Sequence, residues 1–158
     1  MLGTVPDADL LLSTGGFMNY SFSLSHNGKV IETRWFGKLT GEIIAMGFDD
    51  RNIWIEKNAK ETPLVLLSDY VEADVEKLTA DGLLLVASRF QGFEDNYPGV
   101  HWISIVPTDL KFGLARMWKA YAEDLFSNTH VVRSRDEAEQ IISSIISKSK
   151  MEDAQQLA

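Results

Sequence analysis

Two apolar, strand-like runs alternate with two amphipathic helical patterns in the last third of the sequence. His101–Val106 predicts a strand, Asp109–Phe126 a helix, His130–Arg133 a second strand and Arg135–Lys148 a second helix. Strands that alternate with helices in this way are typical of βα units, because each helix carries the chain back across the sheet to start a parallel strand. This rhythm restricts the chain to a mostly parallel α/β architecture.

The residues before these units predict an antiparallel hairpin. Large and small side chains alternate over Tyr20–His26, and a second strand, Val30–Phe36, follows after Asn27-Gly28. Asn-Gly between two such runs favours a tight hairpin turn, because both central residues of a type I′ turn need a positive φ.

The middle of the sequence adds two helices and the strand between them. Thr40 is predicted to cap the first of these helices. The segments are a helix over Gly41–Asn58, a strand over Leu64–Leu67, a helix over Asp74–Phe90 and a loop over Gln91–Gly99. The whole chain therefore predicts an α/β fold with a single, mostly parallel five-stranded sheet, an N-terminal antiparallel hairpin and four helices.

The length of 158 residues suits one domain with a sizeable core. We assign residues 1–18 to an N-terminal extension, 19–148 to a single α/β domain and 149–158 to a polar C-terminal tail, which we expect to be frayed.

Composition narrows the classes of partner. The net charge of −8 would repel nucleic acid and anionic membrane surfaces. The chain lacks cysteine, which excludes disulfides and thiolate chemistry. No apolar run approaches the ~20 residues of a membrane span, and the first residues lack a basic, signal-like start. We therefore expect a cytoplasmic protein with no nucleic acid partner and no membrane insertion.

The sequence shows no motif for catalysis, cofactor binding or metal binding. Phosphate-binding glycine patterns and a nucleophile elbow are absent. His26, His101 and His130 fall singly near strand ends, without the spacing of metal ligands. We predict no catalytic residue, cofactor or metal, and so a protein that is not an enzyme; an undetected hydrolase is the remaining enzymatic alternative.

Six residues are candidates for regulation or interaction. Trp118 and Tyr121 belong to the amphipathic stripe of the third helix, and Phe93 and Tyr97 lie in the Gly- and Pro-containing loop. Each aromatic side chain serves either the core or a protein contact. Ser68 and Asp69 follow the central strand, where ligands and regulatory groups gather in open α/β sheets. Either Ser68 accepts a phosphate there, or the Ser68-Asp69 pair simply forms a turn.

Three segments carry a resemblance to a known family. Gly37-Lys38-Leu39-Thr40 resembles the "GxLT" junction of the SpoIIAA-like proteins, which are related to STAS domains. The stretch from Pro107-Thr108-Asp109 to Trp118 is similar to their strand-to-helix segment. Val131–Ser134 and the following Asp136–Glu139 are similar to their closing strand and the start of their last helix. The resemblance covers residues 20–146.

The resemblance implies a β-α superhelix that acts as a protein-interaction switch without catalytic machinery. In related anti-sigma-factor antagonists, a serine in a "DSSG" loop is phosphorylated by a partner kinase. This chain has Leu67-Ser68-Asp69-Tyr70-Val71 there, so the family's switch transfers to Ser68 by position alone.

Two functions remain open. The first is a non-enzymatic, STAS-like interaction or regulatory module that binds a protein partner or itself as a homodimer. The second is a carrier of a small apolar, lipid-like ligand between the helices and the sheet, in a pocket lined by Leu83–Val86, Phe90, Phe112 and Trp118.

Overall fold

The computed structural model describes residues 19–90, 93–123 and 128–157. The strands are β1 (Tyr20–Ser25), β2 (Val30–Lys38), β3 (Val65–Asp74), β4 (His101–Ile105) and β5 (Thr129–Val132). The helices are α1 (Gly41–Asn58), α2 (Ala80–Ser88), the short α3 (Phe93–Asn96), α4 (Asp109–Ala122) and α5 (Arg135–Leu157).

Over the described residues the strands form one five-stranded sheet in the order β1-β2-β3-β4-β5. β1 pairs antiparallel with β2, and the other three pairs are parallel. Each parallel strand lies beside the strand that precedes it in sequence, as successive crossovers in one direction require. The predicted fold class is confirmed.

Helices cover both faces of the sheet. One face packs against α1, α2 and α4 over a core rich in aromatic rings, which includes Trp35, Phe48 and Trp102. The other face packs against α5 over a smaller aliphatic cluster that includes Ile103 and Ile142. Leu66 belongs to the first core and Leu67 to the second, as expected for adjacent residues of a strand buried on both faces.

Threonine side chains start three of the helices. The hydroxyl oxygens of Thr40, Thr79 and Thr108 accept hydrogen bonds from the amides of Ile43, Gly82 and Lys111, which the helices themselves leave without partners. α5 begins instead with a capping box, in which the Glu137 amide donates to Ser134 Oγ over 3.2 Å and the Ser134 hydroxyl donates to the Glu137 carboxylate.

The hairpin loop is longer than the predicted Asn27-Gly28 turn. β1 ends at Ser25 and β2 starts at Val30, and His26 also has a positive φ of 54°. The Gly28 amide donates to the Ser25 carbonyl and the Lys29 amide to the His26 carbonyl, so two left-handed turns overlap. The prediction missed His26 because only a few per cent of non-glycine residues have a positive φ, and the Asn-Gly pair alone suggested a two-residue turn.

The end of β3 was predicted wrongly. Ser68-Asp69 is not the exit from the strand, because parallel pairing with β2 continues to Lys38 opposite Asp74. A helix therefore cannot begin at Asp74, and α2 starts at Ala80, after the Thr79 cap. Polar side chains at 68, 69, 72 and 74 concealed this extension from the apolar pattern.

Two other boundaries also differ from the predictions. α3 occupies part of the predicted loop, and α5 continues through the predicted polar tail as far as Leu157. The predicted extension 1–18 and the predicted helix end near Phe126 lie outside the described residues.

Candidate functional site

Ser68 and Asp69 lie in the middle of β3 and project to opposite faces of the sheet. Ser68 is fully buried on the side of α1, α2 and α4, and Asp69 is 7% exposed on the side of α5. The structure thus separates two residues that the sequence suggested as one regulatory loop.

The Asp69 carboxylate ties α5 to the sheet. Its Oδ2 accepts from Arg135 Nη2 over 2.8 Å, and the same guanidinium donates to Glu32 Oε1 over 2.6 Å. These hydrogen bonds raise the pKa of Arg135, and the bond to Glu32 has the largest effect. Burial of the guanidinium opposes the rise. Asp69 Oδ1 also accepts from the Val71 amide, so both carboxylate oxygens are engaged.

On the opposite face, Ser68 adjoins a partly buried tyrosine, Tyr70. Burial raises the pKa of Tyr70, while interactions with the Ser68 side chain and with Arg51 oppose that rise. The Tyr70 ring stacks on Trp35 with centroids 5.6 Å apart and planes at 3°. Ser68 is therefore part of an ordered, packed surface beneath the helices.

Arg51 is the least expected member of this core. It is 1% exposed, and its guanidinium carbon lies 4.7 Å from the ring centroids of both Phe48 and Trp102. Burial lowers its pKa to about 9, opposed by Tyr97 and Tyr70. The side chain is still positively charged at neutral pH and is stabilised by cation–π contacts.

Tyr97 reaches the same region from the segment after α3. It is half-buried, and burial raises its pKa while the positive charge of Arg51 lowers it. The structure thus joins Ser68 and Tyr97 indirectly, through Tyr70 and Arg51. The side chain of Phe93 lies outside the described residues.

Trp118 and Tyr121 are neighbours on α4, three residues apart, but they differ in exposure. Trp118 is 7% exposed and its ring lies 5.2 Å from that of Trp102 and 5.8 Å from that of Phe90, so it is part of the core. Tyr121 is 37% exposed. Of the two, only Tyr121 is accessible for an intermolecular contact.

Tyr121 shares its side of the helix with two other exposed apolar residues. Leu110 is 53% exposed and Met117 is 37% exposed. Spacings of seven and eleven residues place Met117 and Tyr121 within one narrow line from Leu110 along an α-helix. We call Leu110, Met117 and Tyr121 the α4 stripe.

A small apolar cavity lies beneath the helices. Its volume is about 50 Å³, and the lining includes Leu83, Val86 and Trp118, three residues of the predicted pocket. Phe90 and Phe112 do not line it. Its polar boundary includes Lys111, whose Nζ donates to the Val71 carbonyl over 3.0 Å. The structure as it stands has less space than the carrier hypothesis requires, because a cavity that holds benzene measures about 150 Å³.

Three histidines lie at the end of the sheet where the parallel strands begin. His101 Nδ1 and His130 Nε2 are 3.1 Å apart, and His26 Nε2 lies 2.9 Å from the Glu139 carboxylate. Among the described residues, no three histidine, aspartate or glutamate side chains converge as metal ligands would.

Comparisons with known proteins yield a likeness to solved structures. No protein-family model and no curated protein matches the chain. A solved structure of the anti-sigma factor antagonist SpoIIAA in its unphosphorylated form matches with a TM-score of 0.49 and 14% sequence identity. The match covers 78% of this chain and 97% of that one. SpoIIAA gives its name to the family that the sequence resembles. At 14% identity the likeness concerns the path of the backbone and assigns no residue a role.

The helices give no sign of a membrane span. Within residues 19–90, 93–123 and 128–157, none combines the length and the apolar character needed to cross a bilayer.

Sequence reasoning missed three features of the site. Arg51 falls within the otherwise apolar helical stripe of Ile44, Phe48 and Ile55. That position in the sequence could have indicated a buried cation. The Asp69–Arg135 pair joins residues 66 positions apart, and the two histidines are 29 apart. Nothing in local sequence patterns indicates contacts at such separations.

Proposed function

We propose that this chain is a non-enzymatic, STAS-like interaction module that binds a protein through the α4 stripe. The exposed line of Leu110, Met117 and Tyr121 is the observation that carries the proposal. Burying such side chains against a partner removes apolar surface from water, and aromatic and methionine side chains are enriched at protein interfaces.

The arrangement of the other candidate residues agrees with this proposal. Asp69 is engaged by Arg135, and Ser68 is fully buried, so both contribute to the fold. Tyr121 is the candidate in α4 with an exposed side chain, and it is positioned by a helix that the neighbouring Trp118 anchors in the core. A rigid helix that presents a few exposed anchors suits recognition of another protein surface.

A photo-crosslinking amino acid in place of Tyr121 tests the proposal. We expect crosslinks to defined peptides of a partner protein, and light scattering after size-exclusion chromatography shows whether that partner is a second copy. Met117→Glu should weaken the association at least tenfold, because it places a charge within the buried contact. Met151→Glu is the matched control, since Met151 is 64% exposed on a different helix.

Two outcomes would contradict the proposal. One is equal crosslinking in the Met117→Glu and Met151→Glu variants. The other is a monomer that gives no specific crosslink from position 121. A screen for esterase and phosphatase activity tests the non-enzymatic part separately, and reproducible turnover that saturates with substrate would refute it.

A carrier of a small apolar ligand is the second candidate, favoured by the cavity between the sheet and α1, α2 and α4. The lining is apolar apart from groups such as Lys111 and Ser104 at its boundary. A ligand larger than the cavity of about 50 Å³ would require the helices to move apart. Native mass spectrometry of the purified chain should then show a bound apolar molecule that is lost on organic extraction. A spectrum of the ligand-free mass alone, also after incubation with fatty acids, would argue against a carrier.

A further inference from the structure

His101 and His130 form a pair that no part of the proposed function uses. They lie on the neighbouring strands β4 and β5, where Ile103 is the register partner of His130. The facing ring nitrogens are 3.1 Å apart, the centroids 5.4 Å apart and the ring planes at 19°. Two nearly coplanar rings that meet edge to edge form an N–H···N hydrogen bond, in which one nitrogen donates and the other accepts.

Such a bond depends on the number of protons. It needs one proton between the two nitrogens, and it forms whether the pair is neutral or carries a single positive charge. When both rings are fully protonated, two donors and two positive charges face each other, and the bond is lost.

The pair lies in a groove beneath residues 140–152 of α5. This groove has a volume of about 660 Å³ and runs between that part of the helix and the first residues of β4 and β5. The charged groups that face the pair are Lys148 and Glu152 of α5 and Lys119 of α4. The other residues of the lining are uncharged: Leu64, Gly99, Gln140, Ile141, Ser144, Ile145 and Ser149.

We propose that the His101–His130 pair is a proton-operated clamp for residues 140–152 of α5. With one proton shared between the rings, this part of the helix stays over the first residues of β4 and β5. Once both rings are cationic, they repel each other and Lys148, and this part of α5 moves away from the sheet, exposing the apolar lining of the groove. The proposal is independent of the α4 stripe and adds a means of regulation by pH.

The direction of the pH dependence follows from the surroundings. Burial, and then Lys148, lowers the pKa of His101, and burial, His101 and Lys119 lower the pKa of His130. A lowered pKa in the folded state means that the stabilisation is complete above the unfolded value of about 6.5 and is lost as the pH falls through the folded values. His26 also contacts α5, through its Nε2 and the Glu139 carboxylate 2.9 Å away, and it therefore serves as the control histidine.

Hydrogen exchange of the whole chain at pH 7.5 and pH 5.0, corrected for intrinsic rates, tests the clamp. We expect the protection factors of the amides of residues 140–152 to fall by about tenfold for each unit by which folding lowers the pKa of the pair. Protection of α1 should not change. Lys148→Gln should reduce the fall, whereas Lys150→Gln, an exposed lysine on the same helix, should leave it intact.

Histidine variants and spectra complete the test. The double variant His101→Gln/His130→Gln should abolish the loss of protection in α5 between pH 7.5 and pH 5.0. His26→Gln should preserve that loss. Nitrogen NMR of the imidazoles should show two coupled titration steps. Independent titration of both rings at an ordinary pKa, an undiminished fall in the double variant, or equal loss of protection in α1 and α5 would overturn the proposal. If the double variant does not fold, identical behaviour of Lys148→Gln and Lys150→Gln would overturn it as well.

Discussion

Ser68 shows how the location of one residue decides what chemistry it can perform. Its hydroxyl lies in the middle of β3, with no exposed surface, between the sheet and the helices. Transfer of phosphate to that oxygen would require the helices packed on this face to move away from the sheet, because strand side chains stand perpendicular to it. A position that resembles a family's regulatory serine in sequence is thus a core position in this fold.

We predict that Ser68→Asp destabilises the protein by about 3 kcal/mol or more, because a buried carboxylate would lose its hydration. Ser68→Ala should cost less than about 1 kcal/mol, since it retains most of the volume. Urea denaturation measures both. An aspartate variant as stable as the alanine variant would show that the side chain reaches solvent, and would reopen the switch hypothesis.

Arg51 is a second case in which surroundings determine the role of a residue. Its guanidinium lies between Phe48 and Trp102, and its burial is nearly complete. We predict that Arg51→Ala costs about 3 kcal/mol because it leaves a cavity among these rings. Arg51→Met should cost at least about 1 kcal/mol less, since methionine fills much of the space without burying a charge.

Equal losses in the two Arg51 variants would contradict this account. They would mean that polar contacts of the guanidinium, and not its volume and its stacking, dominate the contribution to stability. Denaturation at pH 7, where the pKa of about 9 keeps the side chain charged, is the appropriate comparison.

At the scale of elements, α1 and α2 approach each other at their first turns through two glycines. A Cβ added to Gly41 would lie 2.5 Å from the Cα of Gly82, which no neighbouring side chain can relieve by rotating. The glycine pair therefore sets the distance between the two helices and, with it, the shape of the core below them.

Gly41→Ala should destabilise the protein by about 2 kcal/mol or more, because the two backbones must move apart. Gly113→Ala is the matched control, since Gly113 also lies in a helix but has open space around its Cβ position. Alanine there should stabilise by about 0.5–1 kcal/mol through its higher helix propensity. Thermal unfolding of both variants gives the comparison, and similar shifts in the same direction would contradict the predicted close approach.

α5 is the single long helix on its face of the sheet within the described residues, and Arg135 holds its first turn. Arg135→Ala would leave Glu32 and Asp69 close together without their shared cation. We expect a cost of about 2 kcal/mol, discounted from a fully buried pair because the Arg135 side chain is 38% exposed. Hydrogen exchange in α5 should accelerate.

Arg89→Ala provides the reference for an exposed ion pair. Arg89 contacts Asp49 over 2.6 Å, but both side chains are about half exposed. Its loss should cost less than about 1 kcal/mol. If the two arginine variants lose equal stability, the contact between α5 and the sheet rests on the aliphatic cluster alone.

At the scale of the whole molecule, we propose that the folding unit ends at residue 148. Beyond Lys148, α5 is exposed from Lys150 to Leu157, and its apolar side chains Met151 and Leu157 do not pack on the sheet. Removal of residues 149–158 should therefore change the melting temperature by no more than about 3 °C. A larger decrease in calorimetry would place the end of the folding unit beyond residue 148.

The sequence by itself determined the elements and their order. Alternating side chains, Thr40 before an apolar helix and Ser134 with Glu137 are local signals, because a strand, a helix or a cap is defined by residues a few positions apart. Predicted boundaries were wrong where pairing with a distant strand decides them. β3 continues past Ser68 because it stays paired with β2 up to Lys38.

Only the tertiary structure decided which side chains meet and which reach solvent. It buried Ser68 and Trp118, exposed Tyr121, and brought Arg135 to Asp69 and His101 to His130. These outcomes depend on the register between strands and on which face each helix covers, and both are set by the packing of the whole core. A sequence pattern specifies the apolar side of each element, whereas the partner of that side is fixed only when all elements pack together.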